Sequence, residues 1–259
     1  MEVLERECET AINWFKENNM IVNPDKFQTM IITSNKEQNN TPVKINGVDI
    51  TPESSVKLLG IEINNKLNFE KHLSTLCNKA SNQLNAICRL QPYMGQKEKE
   101  TIINTFDYSN FNYGSLIWHF CNKKSQNKIE KIQERCLKVL LNDYTSNYEE
   151  LLENSKSVPM KIKRLRTIII EIFKTLNNQN ANFMKEIFHH SPNLTHRKHN
   201  IYVHPQQTTR FGTKSLTALG AHLWNLLPEN IKSTESFIEL KNFTKTWPGP
   251  NCNCDICNK

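Results

Sequence analysis

The sequence predicts a mostly α-helical fold with a small β element near the N-terminus. From Asn68 onward, apolar residues recur three and four positions apart, which is the spacing of an amphipathic helix. Short apolar runs rich in β-branched residues, with the pattern of strands, occur between residues 27 and 63. Glycine is scarce, with 7 in 259 residues, which argues against a loop-rich or β-rich chain.

One helix opens the chain and short strands follow it. Helically spaced apolar residues predict a helix over residues 1–19, ended by Asn18 and Asn19: these are Leu4, Cys8, Ile12 and Phe15. Asn23-Pro24-Asp25 predicts a turn, because proline restricts the residue before it. The run 27–33 predicts a buried strand.

Two further β segments are indicated before residue 64. Val43 to Ile50 alternates apolar residues around Asn46-Gly47, a strong hairpin signal. Val56 to Ile63 has the pattern of another strand, with Gly60 where a backbone could approach closely. The polar stretch 34–42 predicts a loop.

Helices dominate the rest of the chain. Apolar spacing predicts them at 68–90, 97–120, 125–140, 148–152, 159–176, 216–227 and 237–247. Ser125 is the expected cap of the third of these, and Pro159 opens the fifth at a position that proline tolerates. The second should turn Tyr113 and Ile117 inward. The polar break 177–182 predicts a domain boundary, and 191–207 a His-rich loop.

Positive charge is concentrated in the helical part. Residues 1–60 contain 6 Lys and Arg against 9 Asp and Glu, whereas residues 61–175 contain 18 against 12. An excess of this kind fits a surface that faces phosphates. It equally fits a lysine-rich surface that water solvates.

Partners and compartment follow from the same composition. The N-terminus is acidic, unlike a signal peptide, and runs such as Ile168 to Ile170 are too short to span a membrane. Four of the eight cysteines lie in helical apolar patterns and are expected to be reduced: Cys8, Cys77, Cys88 and Cys136. We therefore expect an intracellular protein, nuclear or cytoplasmic, without a membrane or small-molecule partner.

Short motifs in a fixed order carry a family resemblance. Trp14-Phe15-x-x-Asn18 precedes Asn23-x-x-Lys26, and Leu58-Leu59-Gly60-Ile61 follows. Further matches are Asn68-Phe69-x-x-His72, Trp118, Ile132-Gln133 and Leu223-Trp224-Asn225-Leu226-Leu227-Pro228. Together they resemble the end of the palm, the thumb and the C-terminal region of reverse transcriptases (RNA-directed DNA polymerases) of non-LTR, LINE-like, jockey-type retrotransposons.

The resemblance implies an organisation and a function. Residues 1–64 would be a palm remnant, 65–178 a helical thumb, and 179–259 a smaller helical region with a Cys-rich tail. The chain would bind a template–primer of RNA or DNA. The alternatives are a helical nucleic-acid-binding or interaction protein without enzymatic activity, derived from a mobile element, and a relic without function.

The family's catalytic carboxylates have no counterpart in these residues. The family uses one carboxylate in motif A and two in Tyr-x-Asp-Asp, and both motifs precede the matched stretch. No Asp-Asp pair occurs in the sequence. Two-metal phosphoryl transfer needs closely placed carboxylates, so magnesium is expected only in an intact parent enzyme. We expect the isolated chain to be inactive.

Two resembling motifs carry candidate site residues. Lys26 stands where motif D has a lysine near the incoming nucleotide, whose cationic group would stabilise the leaving pyrophosphate; the alternative is a surface lysine after a turn. Leu58, Leu59 and Gly60 resemble motif E, the primer grip, a tight hairpin in which glycine permits close approach to the primer. The alternative is an ordinary strand with a glycine bulge.

Two basic clusters are candidate phosphate contacts. The first recurs at helical intervals: Lys123, Lys124, Lys128, Lys131, Arg135 and Lys138. It would track phosphates, or be a solvated face paired with Glu130 and Glu134 at i, i+4 spacing. The second is denser, and its density favours nucleic acid: Lys161, Lys163, Arg164 and Arg166.

The C-terminal cysteines are a candidate zinc site. Cys252-x-Cys254-x-x-Cys257 resembles part of a zinc knuckle, but structural zinc takes four ligands and only three thiols are present. A histidine would have to supply the fourth: His189, His190, His196, His199 or His204. The alternative is an unstructured tail.

Overall fold

The computed structural model describes residues 2–33, 41–188, 201 and 215–252. The described chain is mostly helical, with two small antiparallel sheets near the N-terminus. This confirms the predicted fold class at that level. The chain divides into two compact units, Met1–His72 and Leu73–Lys259.

A helix and a hairpin form the core of the first unit. Helix α1 spans Glu2–Glu17, and strands β1 (Val43–Ile45) and β2 (Val48–Ile50) pair antiparallel. Ile12 of α1 packs against Val43 and Ile45. Asn46 and Gly47 both have positive φ, 52° and 78°, as the favoured two-residue hairpin turn requires. The hairpin predicted at Asn46-Gly47 is confirmed.

A second hairpin replaces the single strand predicted over 56–63. Strands β3 (Ser55–Leu58) and β4 (Ile61–Asn64) pair antiparallel. Leu59 and Gly60 form the turn with φ of 47° and 84°. The single-strand prediction is wrong because two consecutive left-handed residues reverse the chain, so Gly60 is a turn glycine.

The strand predicted over 27–33 is absent from the structure, although all seven residues are described. A strand needs a neighbour with which to form a hydrogen-bond ladder, and each described strand already pairs with its own hairpin partner. The Thr29 carbonyl accepts one bond from the Glu53 N–H at 2.8 Å. The preceding turn is confirmed as a 3₁₀ helix, Pro24–Lys26, with the Asn23 side chain accepting from the Asp25 N–H.

Helices build the second unit. Helix α2 (Glu70–Leu90) begins at the end of the first unit and leads into a 3₁₀ turn, Gln91–Tyr93. The following helices, numbered among the described residues, are α3 (Gln96–Ile102), a π segment (Ile103–Tyr108), α4 (Ser109–Asn112), α5 (Ser115–Trp118), α6 (Lys123–Leu141), α7 (Tyr148–Asn154), α8 (Met160–Leu176), α9 (Asn182–Lys185), α10 (Leu216–Asn225), α11 (Glu229–Lys232) and α12 (Phe237–Thr246).

The helix predicted over 97–120 is divided. Gly114 adopts the left-handed conformation, with φ of 61°, and separates α4 from α5. The π segment Ile103–Tyr108 shifts the helical register before Tyr113, and Gly114 shifts it again before Ile117, so both residues are exposed while Phe111 and Trp118 are buried. The inward orientation predicted for Tyr113 and Ile117 is wrong for this reason.

One apolar core joins α8, α10 and α12. Its buried members include Leu165, Ile169, Leu223, Trp224 and Leu240. Helices on both sides of residue 178 therefore share this core. The predicted inward positions Leu219, Leu223 and Leu227 are confirmed as buried.

Candidate nucleic-acid interface

Helix α6 presents a row of cations on its exposed side. The helix begins after Asn122, whose side-chain oxygen accepts the Ser125 N–H at 2.8 Å, so Asn122 is the cap in place of the predicted Ser125. Ile129, Ile132, Cys136 and Val139 are buried on one side. Lys124, Lys128, Lys131 and Arg135 are exposed and lie 4, 3 and 4 residues apart. We call these four residues the α6 basic face; it extends about 16 Å along the helix axis.

The acidic residues of α6 do not neutralise this face. The Oε1 of Glu134 lies 2.7 Å from the Nζ of Lys138. Of the i, i+4 ion pairs expected on α6, this one forms among the described residues. Glu130 turns towards α8. Lys124, Lys128 and Lys131 form no ion pair with any residue that the structure describes.

The α6 basic face borders helix α2. Arg135 donates from Nη1 to Ser81 Oγ at 3.3 Å and from Nη2 to Asn85 Oδ1 at 3.0 Å. Near the other end of the face, burial raises the pKa of Cys77 on α2, and the charge of Lys128 opposes that rise. The two hydrogen bonds hold Arg135 in place against α2.

Most side chains of the second basic cluster contact the protein interior. We call this set the α8 cluster: Lys161, Lys163, Arg164 and Arg166. Arg164 is only 2% exposed, and its guanidinium carbon lies 5.3 Å from the centre of the Trp118 ring. Its three guanidinium nitrogens have no hydrogen-bond partner among the described residues. The prediction that Arg164 contacts phosphate is wrong, because its side chain is not accessible.

Two other members of the α8 cluster have internal partners. Arg166 donates from Nε to the Trp247 carbonyl oxygen at 3.0 Å, and its Nη2 binds the same oxygen. The Lys163 ammonium lies 4.1 Å from the centre of the Tyr108 ring, and burial lowers its pKa. The density of positive charge in the sequence predicted a surface position for these residues, whereas in the structure their side chains contact other segments of the chain.

Glu130 links α6 to the start of α8. Its Oε1 accepts the Lys161 N–H at 2.8 Å, and its Oε2 accepts the Met160 N–H at 2.9 Å and the Tyr148 hydroxyl at 2.7 Å. Pro159 offers α8 no capping side chain, so a distant carboxylate supplies the cap. Burial and the Glu130 charge raise the pKa of Tyr148, which stays protonated. No local sequence signal reveals this contact across 30 residues.

His119 belongs to the same buried region. Burial, together with the positive charges of Arg164 and Lys161, lowers its pKa to about 3. The imidazole is therefore neutral at physiological pH, and its Nδ1 has no hydrogen-bond partner among the described residues.

An open pocket of about 260 Å³ lies where α6, α7 and α8 begin. Its lining residues are Lys123, Gln126, Asn127, Glu130, Tyr148, Pro159 and Lys161. It brings together one lysine from each predicted basic cluster. Glu130, however, places a carboxylate among them.

The predicted site residues of the first unit are on its surface. Lys26 is exposed at the end of the 3₁₀ helix Pro24–Lys26. Leu58 and Leu59 are 58% and 81% exposed at the tip of the β3–β4 hairpin, beside Gly60. The geometry is a tight hairpin with two exposed leucines, and its role in gripping a primer stays a prediction.

The proposed zinc ligands fall mostly outside the described residues. Cys252 is described and partly exposed, whereas Cys254, Cys257 and all five candidate histidines are not described. Within the described ranges, no three His, Cys, Asp or Glu residues converge. The zinc site therefore stays a prediction.

Among the helices of the described ranges, none combines the length and hydropathy that crossing a membrane requires.

Comparison with known proteins gives no relative, because no family model, curated protein or solved structure matches the chain. The fold and the exposed basic face define the class only as a mostly helical protein with two small β hairpins.

Proposed function

We propose that the chain binds the sugar–phosphate backbone of nucleic acid through the α6 basic face, as the thumb of a C-terminal part of a non-LTR-type reverse transcriptase. The observation that carries the binding proposal is that Lys124, Lys128, Lys131 and Arg135 share one exposed face. The sequence resemblance carries the assignment to a thumb.

The chemistry of the face suits phosphate. Flexible lysine ammonium groups about one helical turn apart follow a repeating anion without reading bases, so binding is independent of sequence. The guanidinium of Arg135, held by Ser81 and Asn85, adds a fixed cation. Each phosphate that is neutralised releases counterions, so affinity should fall steeply with salt.

The first unit supports its assignment as a palm remnant. It leaves many large apolar side chains exposed: Val3, Leu4, Trp14, Phe15, Met20, Ile21, Ile32, Val48, Leu58, Leu59 and Leu67. Exposed apolar surface of this kind is expected where further palm strands would pack. In the proposed parent enzyme those strands would bring the carboxylates and magnesium, and Lys26 would assist near the nucleotide.

A charge-matched pair of variants tests the binding proposal. Lys124→Gln/Lys128→Gln/Lys131→Gln removes three exposed charges from the α6 basic face. Lys185→Gln/Lys241→Gln/Lys245→Gln removes three exposed charges from α9 and α12 and is the control. Affinity for a mixed-sequence duplex is measured by fluorescence anisotropy at several salt concentrations.

The α6 variant should lower the slope of log affinity against log salt by about 2 to 3, and the control should leave it nearly unchanged. Equal changes in the two variants would show that net charge alone attracts the duplex, and the proposed face would be rejected.

A further inference from the structure

Two exposed aromatic rings lie at the end of the boundary between α2 and α6. Tyr93 is 85% exposed and Tyr144 is 59% exposed. Gln91 connects the two segments: its Oε1 accepts the Tyr144 hydroxyl at 2.9 Å, and it begins the 3₁₀ turn that ends at Tyr93. The rings therefore belong to one surface region.

Hydrogen bonds hold this region in place. Gln91 Nε2 donates to Asn142 Oδ1 at 2.8 Å and to the Val139 carbonyl at 3.4 Å. In the loop after α6, Asp143 Oδ1 accepts the N–H groups of Thr145 and Ser146, each at 3.0 Å. The loop that carries Tyr144 is thus organised before any ligand arrives, which lowers the entropy cost of binding.

Charge changes along the boundary. The α6 basic face ends at Arg135, and Asn142 follows seven residues later, about 10 Å along the axis. That distance is about three stacked nucleotides at 3.4 Å each. Hydrogen bonds from Ser146 and Thr145 hold the pKa of Asp143 far below its usual range, so it remains an anion. Because the Asp143 carboxylate repels phosphate, an uncharged base is better placed beside it than a phosphate.

We propose that Tyr93 and Tyr144 stack on unpaired bases of a single strand whose phosphates follow the α6 basic face. This inference rests on the proposed nucleic-acid binding and adds the strand type and the base contacts. A cationic track beside exposed aromatic rings is the usual combination for sequence-tolerant binding of single strands. Arg89, exposed in the last turn of α2, adds a cation near Tyr93.

The test compares Tyr93→Leu/Tyr144→Leu with Tyr93→Phe/Tyr144→Phe in the full chain. The Phe pair keeps both rings and removes both hydroxyls, including the Tyr144 hydroxyl that donates to Gln91, so it measures the loss of the hydroxyls without loss of the rings. The probes are a mixed-sequence DNA single strand of about 12 nucleotides, an abasic strand with the same number of phosphates, and a duplex.

The Leu pair should weaken binding of the normal strand by about tenfold to hundredfold, and the Phe pair by less than about threefold. Affinities for the abasic strand and the duplex should not change in either variant, because their phosphate contacts remain. Circular dichroism melting confirms that both variants are folded at the assay temperature.

Several outcomes separate this inference from the proposed function. Wild-type affinity of the Leu pair for the normal strand would overturn the stacking inference while the α6 binding proposal stands. An equal loss on the abasic strand would also overturn it, because no bases are present there. If the unmodified chain binds none of the three probes, both proposals fail together.

Discussion

The two basic clusters differ in what their charges do, although their sequences look alike. The α6 basic face has four exposed cations on one side of a long helix. The α8 cluster places Arg164 in the interior, Lys163 over Tyr108 and Arg166 on the Trp247 carbonyl. The difference shows that charge density along a sequence is a poor guide to accessibility, whereas the phase of each charge within its helix decides it.

The largest expected effect concerns Glu130, which links the two regions. Glu130→Ala removes three hydrogen bonds and a negative charge that favours the charged form of buried Arg164, so unfolding free energy should fall by about 3 to 5 kcal/mol. Urea denaturation followed by tryptophan fluorescence gives the value. Glu134→Ala, which breaks the part-exposed pair with Lys138, should cost less than about 1 kcal/mol. Equal losses would contradict the linking role.

The second prediction uses pH to test the burial of His119. Folding lowers the pKa of His119 to about 3, so below pH 6.5 the unfolded chain takes up a proton that the folded chain does not. Its contribution to stability is complete above pH 6.5 and decreases as pH falls towards 3. By pH 5 the loss should be about 2 kcal/mol.

Urea midpoints at pH 7 and pH 5 measure this loss, with His119→Asn as the comparison. The variant should lose less stability than the unmodified chain over the same interval. A parallel decline in both proteins would mean that other groups, and not His119, cause the acid sensitivity.

The smallest effects should differ between the clusters: a change in the α8 cluster should affect stability, and a change in the α6 basic face should affect duplex binding. Arg166→Gln removes the bonds to the Trp247 carbonyl and should cost about 2 kcal/mol of stability without changing the salt slope of duplex binding. Lys131→Gln should change stability by less than about 0.5 kcal/mol and lower that slope by about 1. Chemical denaturation and anisotropy titrations of both variants test the pattern. A lower salt slope for Arg166→Gln would mean that Arg166 contacts phosphate, and would contradict the internal role of the α8 cluster.

The sequence predicts much of the fold because its strongest signals are local. The Asn46-Gly47 turn and the helical spacing of Ile129, Ile132, Cys136 and Val139 each depend on a few adjacent residues. The predicted continuous helix over 97–120 was wrong because a π segment at 103–108 and a left-handed glycine at 114 interrupt the α-helical periodicity. The strand over 27–33 was wrong because strands depend on partners that a local pattern does not reveal.

The candidate site is less predictable than the fold. Arg164 lies four residues from Met160 and from Ile168, both buried, and this spacing was a usable signal that it faces the interior. The Glu130 contact with the start of α8 had no such signal, because its partners are backbone groups 30 residues away. Hydrogen bonds between distant groups need the tertiary structure before they can be identified.

The Glu130 cap also has a consequence for the order of folding. The first N–H groups of α8 have their acceptor on α6, so docking of α6 stabilises the first turn of α8. Loop closure between the two helices and formation of that turn should then be one cooperative event. The amide protons of Met160 and Lys161 would exchange with solvent only when α6 and α8 separate, and so they would report the opening of the whole α6–α8 segment.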